Sequence, residues 1–236
     1  MSRIVAASLG TAVWRAGLAD PHLHWKRRRS AWELAVAWEA ARQSAAGLPP
    51  DVEAVLGNSD AFADPMLLIG IVEHRVQLDT KKTPSQNDLW CVLRTRTGLA
   101  SVAVEGKAGE DFDKPLTEWM GAATDRTAKE ARLAFLCGVL GSPGPPDHSL
   151  RYQLFHRSAS AVLEAERWGL GRALMLVHSF SESKTSWLDY AAFATWLGVA
   201  AERNRVVGPI KARGSQLFLG WVDSPCASDA VAALAV

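Results

Sequence analysis

The fold of this chain is decided by the stretch Ser85-Gln-Asn-Asp-Leu-Trp-Cys-Val-Leu-Arg-Thr-Arg-Thr-Gly-Leu-Ala-Ser-Val-Ala-Val-Glu-Gly-Lys107. It contains two apolar runs, at about 88–95 and 99–107, with a polar segment between them. Runs of this length that are rich in Val and Leu and bounded by turn residues predict buried β-strands. If the polar segment closes a hairpin, the start of the first strand and the end of the second lie at the same end of the sheet.

Charged residues stand at that end of both predicted strands. Asp88 opens the first strand, and Glu105 and Lys107 close the second. Side chains alternate along a strand, so Glu105 and Lys107 are predicted to point to one side and Gly106 to the other. Burying such charges is costly unless a metal ion or an ion pair compensates them. Two interpretations stay open: Asp88 and Glu105 hold a hard cation, or a turn acid lies beside a simple Glu105–Lys107 ion pair.

This pattern resembles the motif of the PD-(D/E)XK nuclease superfamily, the restriction-endonuclease-like fold: an acid, a variable gap, then acid-x-Lys. The gap from Asp88 to Glu105 is 17 positions, and the Pro that usually precedes the first acid is displaced to Pro84. The resemblance implies that Asp88 and Glu105 bind Mg²⁺ or Mn²⁺ together with the backbone carbonyl of Gly106. A small residue at position 106 fits this role, because it leaves room for the backbone to approach metal and phosphate. The resemblance also implies that Lys107 positions or polarises the attacking water. The same segments are similar to those of uncharacterised bacterial proteins, a likeness that implies no activity.

The order of predicted elements indicates an α/β protein with a mixed central sheet flanked by helices. Helices are expected at about 31–44, 127–140, 149–168 and 187–202, and later strands at 172–180 and 216–222. This order is similar to the restriction-endonuclease-like αβββαβ core. We expect a single domain over 1–236 with its core at about 30–222, and a tail, 223–236, that is a short helix or disordered.

Two glutamates are candidates for a further acid, because in several families of this superfamily a Glu on the first helix joins the site. Glu33 is also explained by a capping box with Ser30, in which the two side chains satisfy opposite backbone donors. Glu73 interrupts an apolar run and is also explained by pairing with Arg75 or Arg94.

The predicted helix at 149–168 carries two further accessory candidates. Gln153, His156 and Arg157 are spaced three or four apart and share a helix face. In the superfamily a Gln, Arg or Tyr on the helix after the core strands often faces the site, so Gln153 and Arg157 are the candidates. The alternative is a polar helix face with Tyr152 packed inward.

Basic residues flank the predicted site and indicate a polyanionic partner. The candidate nucleic-acid contacts are Lys26, Arg27, Arg28, Arg29, Lys81 and Lys82. The first four lie beside Trp25 and Trp32, and basic groups interleaved with aromatic ones suit phosphate contact and base stacking. The alternative for this run is a solvated approach to a helix.

The composition limits the function classes. The net charge of +1 over 236 residues means that nucleic-acid binding would depend on a local patch. Three scattered cysteines without a CxxC pair argue against a zinc ribbon or a disulfide framework. No apolar segment reaches 18 residues, so we expect no membrane span. The apolar N-terminal stretch is broken by Ser8, Gly10 and Thr11, so we expect it to be mature structure and the protein to be cytoplasmic. A homodimer is compatible with the sequence.

These observations predict a Mg²⁺- or Mn²⁺-dependent nuclease or nuclease-like phosphodiesterase that acts on nucleic acid. The alternative is a non-catalytic module that keeps the fold to bind protein or nucleic acid. The complete acid, acid and lysine set favours the enzyme, whereas the near-neutral charge favours the module.

Overall fold

The computed structural model describes residues 10–18, 20–79, 83–121, 126–180 and 184–235, which form a mixed α/β fold around a six-stranded sheet. The strands are β1 (Met66–Val76), β2 (Ser85–Thr95), β3 (Gly98–Lys107), β4 (Arg172–Ser179), β5 (Arg205–Ala212) and β6 (Ser215–Asp223). They lie in the order β1-β2-β3-β4-β6-β5. The first three strands form an antiparallel meander, β4 is parallel to β3 and to β6, and β5 is antiparallel to β6.

Helices cover both faces of this sheet. Within the described ranges they are α1 (Thr11–Gly17), α2 (Pro21–His24), α3 (Ser30–Ala40), α4 (Pro50–Gly57), α5 (Leu116–Met120), α6 (Arg126–Leu140), α7 (Tyr152–Trp168), α8 (Lys184–Trp196) and α9 (Asp229–Leu234). None of these helices is long and apolar enough to cross a membrane.

The sheet separates two apolar layers. Strand alternation sends Val104 into the layer that contains Leu34 of α3, and Ala103 into the layer that contains Phe155 of α7. A fully buried Leu or Phe contributes roughly 1.5–3 kcal/mol, so these layers fix α3 and α7 against opposite faces. The polar residues at the ends of both helices are thereby held beside the end of the sheet.

The two strands predicted from the apolar runs at 88–95 and 99–107 are confirmed as β2 and β3. Leu89 lies opposite Val104, and Thr95 opposite Gly98 at the hairpin turn. The predicted helices at 127–140 and 149–168 are α6 and α7. The sequence did not predict β5, whose pairing with β6 is interrupted between residues 207 and 210.

The predicted capping box at the start of α3 is wrong. Ser30 is the first helical residue rather than the cap, and its amide and hydroxyl both donate to Glu110. The Glu33 carboxylate accepts from the amides of Arg28 and Ala227, each at 2.8 Å. The distant partners Glu110 and Ala227, together with the nearby Arg28 amide, therefore engage the groups that the predicted cap would have used.

The tail, expected to be a short helix or disordered, contains the short helix α9. Ser228 caps this helix by accepting from the amide of Val231, and α9 packs beside α3. Together with the Glu33–Ala227 hydrogen bond, this contact ties the end of the described chain to the start of α3.

Candidate functional site

The site lies where β2 and β3 separate. Their pairing ends at Leu89 and Val104, whereas β2 stays paired with β1 back to Ser85 and β3 stays paired with β4 as far as Lys107. Residues 85–88 and 105–107 therefore lie on the two sides of a gap at one end of the sheet. Asp88 and Glu105, which the sequence predicted at this end, line one cleft there.

Both carboxylate oxygens of Glu105 are engaged by hydrogen bonds. Its Oε1 accepts from Lys107 Nζ at 3.0 Å and from Gln153 Nε2 at 2.7 Å. Its Oε2 accepts from Arg157 Nε at 2.5 Å. The side chains of Glu105 and Lys107 are only 4% and 7% exposed, so water screens these charges little. Removal of one partner would leave an uncompensated buried charge, which makes the cluster costly to break.

Arg157 spans the gap between the two strands. Its Nε is bonded to Glu105, its Nη1 donates to Ser85 Oγ at 3.2 Å, and its Nη2 lies 3.8 Å from Asp88 Oδ1. Ser85 Oγ is also 2.8 Å from His156 Nδ1. Burial and the nearby cations hold the pKa of His156 well below its ordinary value, so this imidazole is neutral and its Nδ1 can accept a hydrogen bond from the Ser85 hydroxyl.

Asp88 is more accessible than Glu105. Its Oδ2 accepts from the Gly106 amide at 2.9 Å, while 26% of its side chain stays exposed. The 3.8 Å separation from Arg157 is too long for a hydrogen bond. Burial, followed by the charge of Glu105, raises the pKa of Asp88 to about 7 in spite of the opposing charge of Arg157.

The other acids of the site differ in charge state. Burial alone would raise the pKa of Glu105, but Arg157 and Lys107 together hold it below its ordinary value. Glu73, on β1, has a φ of 52°, which is unusual for a residue with a side chain. Its Oε2 accepts from Gln86 Nε2 at 2.5 Å, and burial raises its pKa. At neutral pH Glu105 is therefore ionised, whereas Asp88 exchanges its proton.

The cleft above these acids has a volume of about 380 Å³. Its floor consists of side chains from β1, β2 and β3, and its walls come from α1, α2, α3 and α7. It is lined by Trp14, Leu18, His24, Trp25, Arg29, Ser30, Ala31, Leu34, Glu73, Gln86, Asp88, Glu105, Glu110 and Arg157.

The role expected of Gly106 needs correction. A small residue was expected there to let backbone approach a metal and phosphate. A Cβ on Gly106 would instead meet Leu34 Cβ and the Ser30 carbonyl, both at 3.3 Å. The absence of a side chain is thus explained by the close packing of α3 on that face of β3, while the Gly106 amide serves Asp88.

The predicted accessory residues divide into two groups. Gln153 and Arg157 contact Glu105, and Glu73 lines the cleft. Glu33 does not line it, because its carboxylate is turned toward Arg28 and Ala227.

The basic run before α3 is also divided. Arg29 lines the cleft, 4.0 Å from Glu110. Arg27 instead pairs with Asp229 at 2.6 Å, and Arg28 lies with Glu33 beside the C-terminal segment. Lys26 is exposed and does not line the cleft. Lys81 and Lys82 lie outside the described residues.

Several residues of the site were missed by sequence reasoning. Trp14 and Trp25 form part of one wall of the cleft, and Glu110 holds the start of α3 through Ser30. Ser85 links Arg157 to His156. The position of Ser85 at the start of the motif strand was one available signal. Trp25 had been named beside the basic run, but its place in the cleft wall, like that of Trp14, depends on helix packing.

In the part of the chain that the structure describes, no group of three or more His, Cys, Asp or Glu side chains could by itself hold a metal ion. A metal at the gap would therefore depend on two carboxylates with other ligands.

Comparison with protein families places residues 7–226, which include all six strands and the whole site, in one family. The chain belongs to the DUF6946 family. The description of this family is "Domain of unknown function (DUF6946)". Comparisons with curated proteins and with solved structures gave no significant match. Membership in DUF6946 thus adds no activity to what the site suggests.

Proposed function

We propose that this chain is a metal-dependent, nuclease-like phosphodiesterase that acts on nucleic acid. The observation that carries the proposal is the arrangement at the gap. Asp88 and Glu105 approach one cleft from two separating strands, and Lys107 is bonded to Glu105. Burial, followed by the charge of Glu105, raises the pKa of Asp88, and a divalent cation beside it would favour its ionised form.

The proposed fold is restriction-endonuclease-like. The elements α3, β1, β2, β3, α7 and β4 follow the order of the αβββαβ core, with a meander and a parallel fourth strand. The strands β6 and β5 extend the sheet beyond β4. This order supports the resemblance to the PD-(D/E)XK superfamily that the motif residues suggested.

The residues at the gap fit a magnesium or manganese ion that is held partly by substrate. Mg²⁺ commonly takes one or two carboxylates and completes its coordination with water and phosphate oxygens. Asp88 and Glu105 would supply the carboxylates, with the Gly106 carbonyl as a further ligand. When bound, the ion would polarise the phosphodiester and lower the pKa of a bound water. Arg157 would have to release Glu105 Oε2, which its Nε now holds.

The cleft is lined by more acidic than basic side chains, which favours the binding of cations. Four carboxylates line it, those of Glu73, Asp88, Glu105 and Glu110, against the guanidinium groups of two arginines. A phosphate chain would be repelled from such a surface unless cations neutralised part of it.

Each protein group has a proposed part in the reaction. Lys107, held between Glu105 and Gln153, keeps the Glu105 carboxylate ionised and oriented. Arg157 would redirect some of its N–H donors from Glu105 to the phosphate, where negative charge develops. Asp88, whose pKa is about 7 without a cation, would be ionised when it holds the ion.

The alternative is a non-catalytic module that binds protein or nucleic acid. One observation favours it: both oxygens of Glu105 are already bonded to cationic side chains. Such a cluster compensates the buried acid without any metal.

Cleavage assays with matched variants test the proposal. We expect the wild type to cut DNA or RNA with Mg²⁺ or Mn²⁺, and Glu105→Gln and Lys107→Ala to be slower by about 10²-fold or more. The controls are Glu118→Gln and Lys114→Ala, an exposed pair of the same residue types, which should leave the rate unchanged. Cleavage that persists in both site variants would contradict the enzyme. Binding of nucleic acid without cleavage under any metal would favour the module.

A further inference from the structure

The acids at the floor of the cleft are enclosed on more than one side. Glu105 is almost fully buried, and the exposed part of Asp88 opens into the cleft. The start of α3 and the tryptophans of the first two helical segments form one wall, and Arg157 of α7 lies on another. A phosphodiester must therefore pass between these walls before it reaches Asp88.

The size of the cleft limits what can make this approach. Clefts that take small organic molecules measure about 300–1,000 Å³, and the 380 Å³ found here lies near the lower end. One nucleotide unit fits such a space. A duplex is a continuous stack of paired bases, and enzymes that act on it in a small pocket must first flip a nucleotide out.

Aromatic rings line the wall beside the acids. Trp14 is 4% exposed, and its Nε1 donates to Glu39 Oε1 at 2.7 Å, so this ring is fixed in place. Trp25, after α2, is half-buried against the α3 layer and keeps part of its surface open. Aromatic side chains beside a phosphate path stack on unpaired bases, whatever the base.

A cation stands on the same wall. The Arg29 side chain is 59% exposed and lies 4.0 Å from Glu110, so its charge is free to meet a phosphate. Each of these features fits one part of a nucleotide chain. The acidic floor, with its cation, fits the phosphodiester that is cut. The aromatic wall fits an unpaired base, and the exposed guanidinium fits a neighbouring phosphate.

We propose that the cleft binds single-stranded nucleic acid, one nucleotide at the acids with its base against Trp25, and excludes a continuous duplex. This substrate class rests on the proposed function of the acids, but the binding preference can be measured without cleavage.

The test compares a 12-nucleotide single strand with the blunt duplex that the same strand forms with its complement. Binding is measured by fluorescence anisotropy in Ca²⁺, and cleavage is measured separately in Mg²⁺ or Mn²⁺. We expect the single strand to bind at least tenfold more tightly than the duplex. Trp25→Ala should weaken single-strand binding about 5- to 150-fold, the effect of losing one stacked base, and leave duplex binding unchanged.

Trp168→Ala is the matched control, because Trp168 is 47% exposed at the far end of α7 and stacks on Trp90 away from the cleft. It should leave both affinities unchanged. Equal binding of single strand and duplex, or no effect of Trp25→Ala, would overturn the inference even if the protein cleaves. Trp25-dependent binding of the single strand without any cleavage would support the inference and refute the phosphodiesterase. Absence of binding to either nucleic acid would overturn the inference.

Discussion

Replacement of Asp88 by Asn is expected to stabilise the protein at alkaline pH. The folded carboxyl has a pKa of about 7 against 3.8 for an ordinary aspartate. Because the folded state binds this proton more tightly, the free energy of unfolding falls as the pH rises from about 4 to 7. Above pH 7 the folded state carries the full destabilising effect of the ionised Asp88 carboxylate. The amide introduced by Asp88→Asn cannot ionise, yet its oxygen can still accept from the Gly106 backbone N–H.

The structure sets the size of this effect. A pKa that rises from 3.8 to about 7 corresponds to at most about 4 kcal/mol at 1.36 kcal/mol per tenfold change in acidity. Because 26% of the Asp88 side chain faces the cleft, water screens part of the penalty, and we expect about 2 kcal/mol at pH 8. For a domain of this size, that gain raises Tm by about 4–8 °C.

The free energy of unfolding of the variant and of the wild type is measured in urea between pH 4.5 and 8.5, without divalent cations, by tryptophan fluorescence. Subtracting the two values at each pH isolates the contribution of Asp88 from that of the other titrating groups. Asp60→Asn, at an exposed aspartate, is the control and should change stability by less than about 0.5 kcal/mol. A variant that is less stable than the wild type at pH 8, or a difference that does not vary with pH, would refute the reasoning.

Two further variants test the packing around the gap. Arg157→Met should lower the free energy of unfolding by about 3–5 kcal/mol in urea at pH 7, because it leaves Glu105 buried with one cation fewer. Arg213→Met breaks an exposed pair and should cost less than about 1 kcal/mol; equal losses in the two variants would contradict a buried role for Arg157. Gly106→Ala should cost about 1–3 kcal/mol in the same assay, because α3 leaves only 3.3 Å for its Cβ. Gly138→Ala, in an open position of α6, should gain up to about 1 kcal/mol, and a Gly106→Ala variant as stable as the wild type would refute the close packing.

The local pattern of the sequence was sufficient for the elements that carry the site. The apolar runs and their alternation predicted β2 and β3. The order Glu105–Gly106–Lys107 predicted that the Glu105 and Lys107 side chains lie on one side of β3, where they are hydrogen-bonded. The three- and four-residue spacing on α7 predicted that Gln153 and Arg157 share a helix face, and both side chains contact Glu105. These predictions succeeded because alternation and helical periodicity depend only on neighbours along the chain.

Contacts between distant segments were beyond such reasoning. The capping-box prediction was wrong because Ser30 donates to Glu110, and because Glu33 accepts from the amide of Ala227, 194 residues away. A glycine at position 106 was expected to leave room for a ligand, whereas the close packing of Leu34 explains the absence of a side chain there. Each is decided by which helix packs where, and local propensity does not encode this choice.

The sequence by itself thus determined the strand pair, the acids and lysine at its open end, and the helix face that meets them. Only the tertiary structure decided that β2 and β3 separate, that Arg157 crosses between them, and that the tryptophan wall closes over the acids. The charge state followed from the same packing, because Glu105 and Asp88 differ in their burial and in their distance from the same guanidinium. Ionisation depends on the surroundings of a group in space, and periodicity along the chain carries no information about them.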